Sequence, residues 1–220
     1  MGWPNNYVQG IYNALGSLIG VYDGAGGQIG LAATYTWATK PLASAYIGTA
    51  FISDIGVGGS YWISNGTVWK PLNGHLFLES SAVAKAAHTG TVVETTIHTI
   101  NLPAGIISPN GSYKITQKWT LTNNSNAKNA YVKLGATQLC GFAFPSNLTG
   151  GSQGIITNRN SASSQIGANG AITMGSSASA SFNTGAIDTS AAHVMTLTMQ
   201  LAVGTDSAVL EFWSVELIEP

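Results

Sequence analysis

From Gly111 to Gly135 the chain reads GSYKITQKWTLTNNSNAKNAYVKLG. Tyr113, Ile115, Gln117, Trp119 and Leu121 alternate with Lys114, Thr116, Lys118, Thr120 and Thr122. Successive side chains of a strand point to opposite faces, so this spacing defines one apolar and one polar face. The Asn/Ser/Ala/Lys run that follows is turn chemistry, and AYVKL then resumes the alternation. The segment predicts a long antiparallel hairpin, the building unit of a β-sandwich. Its apolar face, with Ile115, Trp119 and Leu121, should lie between two sheets.

The rest of the chain extends this reading into an all-β protein with three zones. Residues 85-220 read as strand after strand: Thr91 to Leu102, a break at Pro103-Ala104-Gly105, the hairpin, Leu139 to Phe144, Gly154 to Asn158, and a strand around Ala171 to Gly175. His193 to Val203 follows, with Met195, Leu197, Met199, Leu201 and Val203 on one face, and Ala208 to Ile218 closes the chain as a central or interface strand. Such a series, with no helical pattern, fits an antiparallel β-sandwich or jelly roll. Residues 31-84 form a small β-rich module, a meander in which Ala50 to Ser53 and Ser60 to Ser64 are strands. Asn65-Gly66 is a type I′ hairpin signal, with Trp62 and Trp69 placed to stack across it. In residues 1-30, Tyr7, Val8, Ile11, Tyr12, Leu15, Leu18 and Ile19 recur at helical spacing with Asn5 or Asn6 as N-cap. Gly10 and Gly16 weaken that helix by about 1 kcal/mol each. A docked helix and a frayed terminus both fit the pattern.

Charge narrows the class of function. Charged residues make up 8% of the chain, against roughly 25% in an average globular protein. With 45% hydrophobic content and six Trp the chain is not low-complexity disorder. A subunit whose surface meets other protein tolerates so few charges. One Arg, Arg159, and seven scattered Lys give no patch for phosphates, which excludes nucleic acid as a direct partner. No apolar run is long enough to insert into a membrane, and no basic start marks a secretory signal, so synthesis in the cytoplasm is expected. The lone Cys140, in LCGFAF, reads as an inert buried thiol.

Catalytic and metal-binding patterns are missing from the sequence. The nine carboxylates fall mostly at turns or on polar strand faces, so no converging pair of the glycosidase kind is expected. Glu94 and His98 share a strand face at about 13 Å, too far apart for one metal ion. Gly24-Ala25-Gly26-Gly27 lacks the Lys-Ser/Thr of a phosphate-binding loop. No enzyme, metal or cofactor is expected.

The segments YIGTAFISDIGVGGSYWISNGTVWKPLNG, TVVETTIHTINLPAGIISPNGSYKITQKWTLTNNSNAKNAYVKLG and AIDTSAAHVMTLTMQLAVGTDSAVLEFWSVELI resemble tailed-bacteriophage virion proteins. In those proteins a C-terminal jelly-roll module occurs on tail fibres and on head-decorating fibres. The resemblance implies a non-enzymatic virion protein, a homotrimer, with no family active site to carry over. A short fibre or tip would bind a host surface glycan or protein through sandwich loops. The candidates are Asn123, Asn124, Asn126 and Asn129 in one loop, Asn147 and Gln153 in a second, and Arg159 and Asn160 in a third. A capsid decoration protein would instead stabilise the head lattice. In both readings the N-terminal segment, with Trp3, Tyr7, Ile11, Tyr12 and Leu15, docks on a phage capsid or tail protein.

Overall fold

A computed structural model describes residues 33-56, 58-168 and 182-220 in full, and the backbone of three strands within residues 1-32. The chain forms two compact units, Met1–Leu72 and Asn73–Pro220. In the first, β1 (Gln9–Tyr12), β2 (Leu18–Tyr22) and β3 (Gln28–Gly30) pair as an antiparallel sheet. The helical spacing expected here therefore does not hold over β1 and β2. Gly10 and Gly20 disfavour a helix, whereas Ile11, Tyr12, Ile19, Val21 and Tyr22 are β-branched or aromatic and favour strands. Of the expected docking residues, Ile11 and Tyr12 lie on β1, while Trp3, Tyr7 and Leu15 lie outside the described residues.

The first unit also contains β4 (Ala33–Tyr35), β5 (Ile47–Ile52), β6 (Ser60–Asn65) and β7 (Trp69–Pro71), in that order in a second sheet, with β4 parallel to β5. Ser60, Trp62 and Ser64 alternate inward along β6. Trp62 and Trp69 do not stack on each other. The register sets Trp62 opposite Pro71 and Trp69 opposite Ser64. Trp62 packs edge-on against Trp37 at 4.8 Å, and Trp69 stacks on Tyr46 at 5.3 Å. The turn after β6 is not type I′ either, because only Gly66 has a positive φ (85°) and Asn65 does not. Asn65 Oδ1 instead accepts from the N–H groups of Thr67 and Val68, which closes a wider turn.

The second unit is a β-sandwich. Its strands are β8 (His75–Ser81), β9 (Thr95–Leu102), β10 (Ser112–Leu121), β11 (Lys128–Leu134), β12 (Thr137–Ala143), β13 (Thr149–Asn158), β14 (Gln165–Ala168), β15 (Phe182–Gly185), β16 (His193–Leu201) and β17 (Ala208–Ile218). One antiparallel sheet has the order β15-β14-β13-β10-β17-β8, the other β12-β11-β16-β9. Strand β8, read from the sequence as part of the 31-84 module, is an edge strand of the larger sheet. The strand expected at Ala171 to Gly175 lies outside the described residues.

The hairpin expected from Gly111 to Gly135 is not formed. Strand β10 pairs with β13 and β17, whereas β11 pairs with β12 and β16 in the other sheet. The Asn-rich run is a corner between sheets. Alternation fixes which face of a strand is apolar and says nothing about its neighbour. The face itself is as expected: Tyr113, Ile115, Gln117, Trp119 and Leu121 are all buried between the sheets. They meet Ala130, Val132 and Leu134 of β11 and Met195, Leu197, Met199 and Leu201 of β16, all buried residues of the facing sheet. Val203, expected on that same face, lies beyond the end of β16 and is exposed. Along one side β12 closes on β14 so tightly that a Cβ at Gly167 would lie 2.4 Å from the Leu139 carbonyl oxygen.

Trp119 is 1% exposed and donates its indole N–H to Gln117 Oε1 at 3.1 Å. Trp119→Ala removes the largest buried side chain of β10 and leaves a cavity between the sheets. Such a change costs about 3–5 kcal/mol, read as a lowered denaturation midpoint at an unchanged urea slope.

Candidate functional site at the two loop ends of the sandwich

The loops gather at two ends of the sandwich, and the register separates those ends. Thr120 pairs with Thr149 at one end of β10, and Ser112 pairs with Thr157 at the other. Eight residue steps of strand put the ends about 27 Å apart.

At the first end the corner 122-127 meets the turns at 144-148 and 202-207. The Leu121 N–H donates to Leu148 O, Thr122 N–H to Ser207 O and Ser146 N–H to Asn124 O. Beneath the corner lies Lys128, which takes the inward register of Ala130 and Val132 and is fully buried. Its Nζ donates to Asn124 Oδ1 at 2.7 Å, to Asn126 O at 2.8 Å and, more weakly, to Asn124 O at 3.4 Å. Asp206 Oδ2 stands 3.9 Å away as counter-charge. The Asn124 amide N–H donates to Asp206 Oδ1 at 2.6 Å, and the Asn126 backbone N–H donates to Asn124 Oδ1. The Asn124 hydrogen bond, helped by Asn126 and the Lys128 charge against the opposing effect of burial, holds the Asp206 carboxyl below its ordinary range. Asn124 thus spends both ends of its amide inside the corner. The exposed residues here include Asn123, Ser125, Asn147 and Leu148.

At the second end Asn158 and Gln165 tie three loops together. Asn158 Nδ2 donates to Ser108 O and Thr189 Oγ1, and Gln165 Nε2 donates to Asn158 Oδ1, Ala162 O and Ile187 O. Thr189 Oγ1 in turn donates to Ala162 O. Arg159 and Asn160 are exposed on this end, with Asn160 in the left-handed region (φ 54°) and accepting from Asn110 Nδ2.

The residues expected to bind a host surface therefore do not converge. Asn123, Asn124, Asn126 and Asn147 share the first end, and Arg159 and Asn160 share the second. Gln153 lies in the middle of β13 on the outer face, 3.5 Å from Thr116 Oγ1, and Asn129 lies on the outer face of the smaller sheet opposite Gln200. Sequence reasoning missed Lys128, Asp206, Asn158 and Gln165. For Lys128 a signal existed: the alternation of β11, run back from Ala130, points residue 128 inward. The other three are brought together by tertiary pairing alone.

Three further carboxylates sit in ion pairs. Glu79 Oε1 accepts from Trp213 Nε1 at 3.0 Å and lies 2.5 Å from His98 Nε2, bridging the two sheets on their open side. Glu94 pairs with Lys133 and accepts from Thr198 Oγ1. Glu216 pairs with Lys114 and His75. Among the described residues no group of three His, Cys, Asp or Glu side chains is placed to hold a metal ion, and no helix is long and apolar enough to cross a membrane. Burial raises the Cys140 thiol pKa, which disfavours the reactive thiolate. No protein-family model matches this chain, and no curated protein matches it in sequence.

One titratable pair is buried in the sandwich. His193 Nδ1 lies 3.0 Å from Ala191 O, so Nδ1 carries the proton and Nε2 accepts from Tyr113 Oη at 3.1 Å. Burial lowers the His193 pKa, opposed by the Ala191 carbonyl and Asp188, and burial lowers that of His88 as well. A folded-state pKa below the unfolded value of 6.5 makes the neutral imidazole the native form. Its contribution to stability is present above about pH 6.5 and is lost as the pH falls through the lower folded value. The urea midpoint should hold steady down to about pH 6.5 and drop below it; His193→Gln, which keeps a hydrogen-bonding side chain, should flatten the drop.

Proposed function

We propose that this chain is a structural subunit of a tailed-bacteriophage particle. It forms a trimeric short fibre or tip that attaches by its N-terminal segment and presents its sandwich unit to the host surface. The supporting observation is the order of the strands. Counting β8 to β13, then β16 and β17, the first strand pairs with the eighth, the second with the seventh, the third with the sixth and the fourth with the fifth. An antiparallel ribbon rolled over itself has this order, which supports the jelly-roll reading. Strands so arranged are scaffold, and the loops at their ends are what such a module displays.

The chain enters the sandwich at His75, at the second end, opposite Ile218. Asn123, Ser125, Asn147 and Leu148, exposed at the first end, are the proposed contact. Uncharged amides and a hydroxyl suit a neutral glycan or a polar protein surface, and the buried Lys128 cluster supplies a loop of fixed shape. Purified protein should block phage adsorption, and the double substitution Asn123→Asp, Asn147→Asp should abolish the block while leaving the fold intact by circular dichroism. Wild-type protein that neither binds host cells nor blocks adsorption overturns the fibre reading.

A second reading, a capsid decoration protein, draws on the first unit. Ile47, Tyr61, Ile63 and Leu72 are large apolar side chains left 40% exposed or more on or beside β5 and β6. An apolar, uncharged surface of this kind suits a lattice contact. Copy number discriminates the two: many copies on the head support decoration, and a few on the tail support the fibre. Under either reading, deleting residues 1–20 should release the protein from the particle without unfolding the sandwich.

A further inference from the structure

The first end of the sandwich brings together an amine and a carboxyl, both buried, and the half-buried carboxamide of Asn124. Lys128 is fully buried and the Asp206 side chain is 3% exposed. Burying an ammonium and a carboxylate carries a large desolvation cost, and a salt bridge at 3.9 Å recovers little of it. The three groups are ordered. Lys128 Nζ hydrogen-bonds the oxygen of the Asn124 amide, and the nitrogen of that amide hydrogen-bonds Asp206 Oδ1. The other carboxyl oxygen, Asp206 Oδ2, is buried with no hydrogen-bond partner and lies on the side of Lys128 Nζ. An amine therefore lies against the oxygen of the amide, and a single carboxyl lies near both that amine and the amide nitrogen.

We propose that Lys128 and Asn124 are joined by an intramolecular isopeptide bond, formed with Asp206 as the proton carrier. The Lys128 ammonium passes one proton to Asp206 Oδ2, which stands 3.9 Å from its nitrogen. The free amine attacks Asn124 Cγ, and the new C–N bond forms as the Cγ–Nδ2 bond breaks. The departing nitrogen takes one proton from the attacking nitrogen and one from the Asp206 carboxyl, and leaves as ammonium. Asp206 is returned to its starting form. The sum is an ammonium and a primary amide giving a secondary amide and ammonium, with no oxidant or cofactor. Holding the reactants in contact supplies the effective concentration an amide needs, and exclusion of water protects the product from hydrolysis. The bond would lock the corner through which the chain passes from one sheet to the other. It is independent of the fibre and decoration readings.

Intact-mass spectrometry of the full chain tests the assignment. The expected result is a mass about 17 Da below that of the sequence, the loss of one ammonia. Peptide mapping of the denatured protein should then show trypsin failing to cleave after Lys128, because an acylated lysine is not recognised. Residues 119–133 would be released as one peptide carrying the whole deficit. Asp206→Asn, if it folds, should have its full sequence mass and ordinary cleavage after Lys128. The sequence mass in folded wild-type protein overturns the proposal. A deficit with normal cleavage after Lys128 also overturns it, since a backbone succinimide at an asparagine loses the same mass. A deficit retained in the Asp206→Asn protein removes Asp206 from the role of proton carrier.

Discussion

The sandwich depends on the corner at residues 122–128, where the chain leaves one sheet and enters the other. A polypeptide that breaks off a ladder must satisfy its backbone groups elsewhere, and a corner of asparagines, serine and alanine has little apolar surface with which to anchor itself. Lys128 supplies the anchor from inside. One ammonium gathers the Asn124 side chain, two backbone carbonyls and the Asp206 carboxyl, and so fastens the corner to the turn that opens β17. The three backbone bonds at Leu121, Thr122 and Ser146 then complete the closure. The arrangement makes the first end stiff: the Asn124 amide is spent inside the corner, while Asn123, Ser125, Asn147 and Leu148 are among the residues left exposed for contact.

The second end reaches a similar result with neutral groups. Asn158 and Gln165 are amides buried to 2% and 1%, and each spends its hydrogen bonds on loop carbonyls and on the other. Buried amides are worth having only when satisfied, and here they replace the apolar contacts that short Gly- and Ser-rich loops lack. The Tyr113–His193 pair behind them adds an imidazole whose pKa burial lowers. Within the second unit, both ends thus use buried polar side chains to give definite shapes to loops of weak intrinsic preference.

The candidate site was only partly legible. Asn124 and Asn126 looked like surface residues because Asn in a turn is ordinarily solvated; a buried Lys four and two residues further on turns them into its ligands. Arg159 and Asn160 were expected to share a host contact with Asn147 because sandwich loops cluster at the ends of the sheets. Strand β13 lies between them and carries them to the opposite end. The Glu79–His98 bridge and the Asn158–Gln165 network join residues far apart in the chain, and no spacing rule reports such pairs.

The positions and inward faces of β10, β11 and β16 follow from the sequence alone. The period-two burial of Tyr113, Ile115, Trp119 and Leu121, and of Met195 to Leu201, is a local consequence of alternating apolar side chains. Which strand lies beside which was decided by the tertiary structure. An alternating strand can pair with any other that presents a matching face, and the energy separating those choices lies in contacts between distant residues. The segment Gly111 to Gly135 carries both lessons: its two strands and their apolar face could be read from its residues, while its passage between sheets rests on Lys128 meeting Asp206 across the fold.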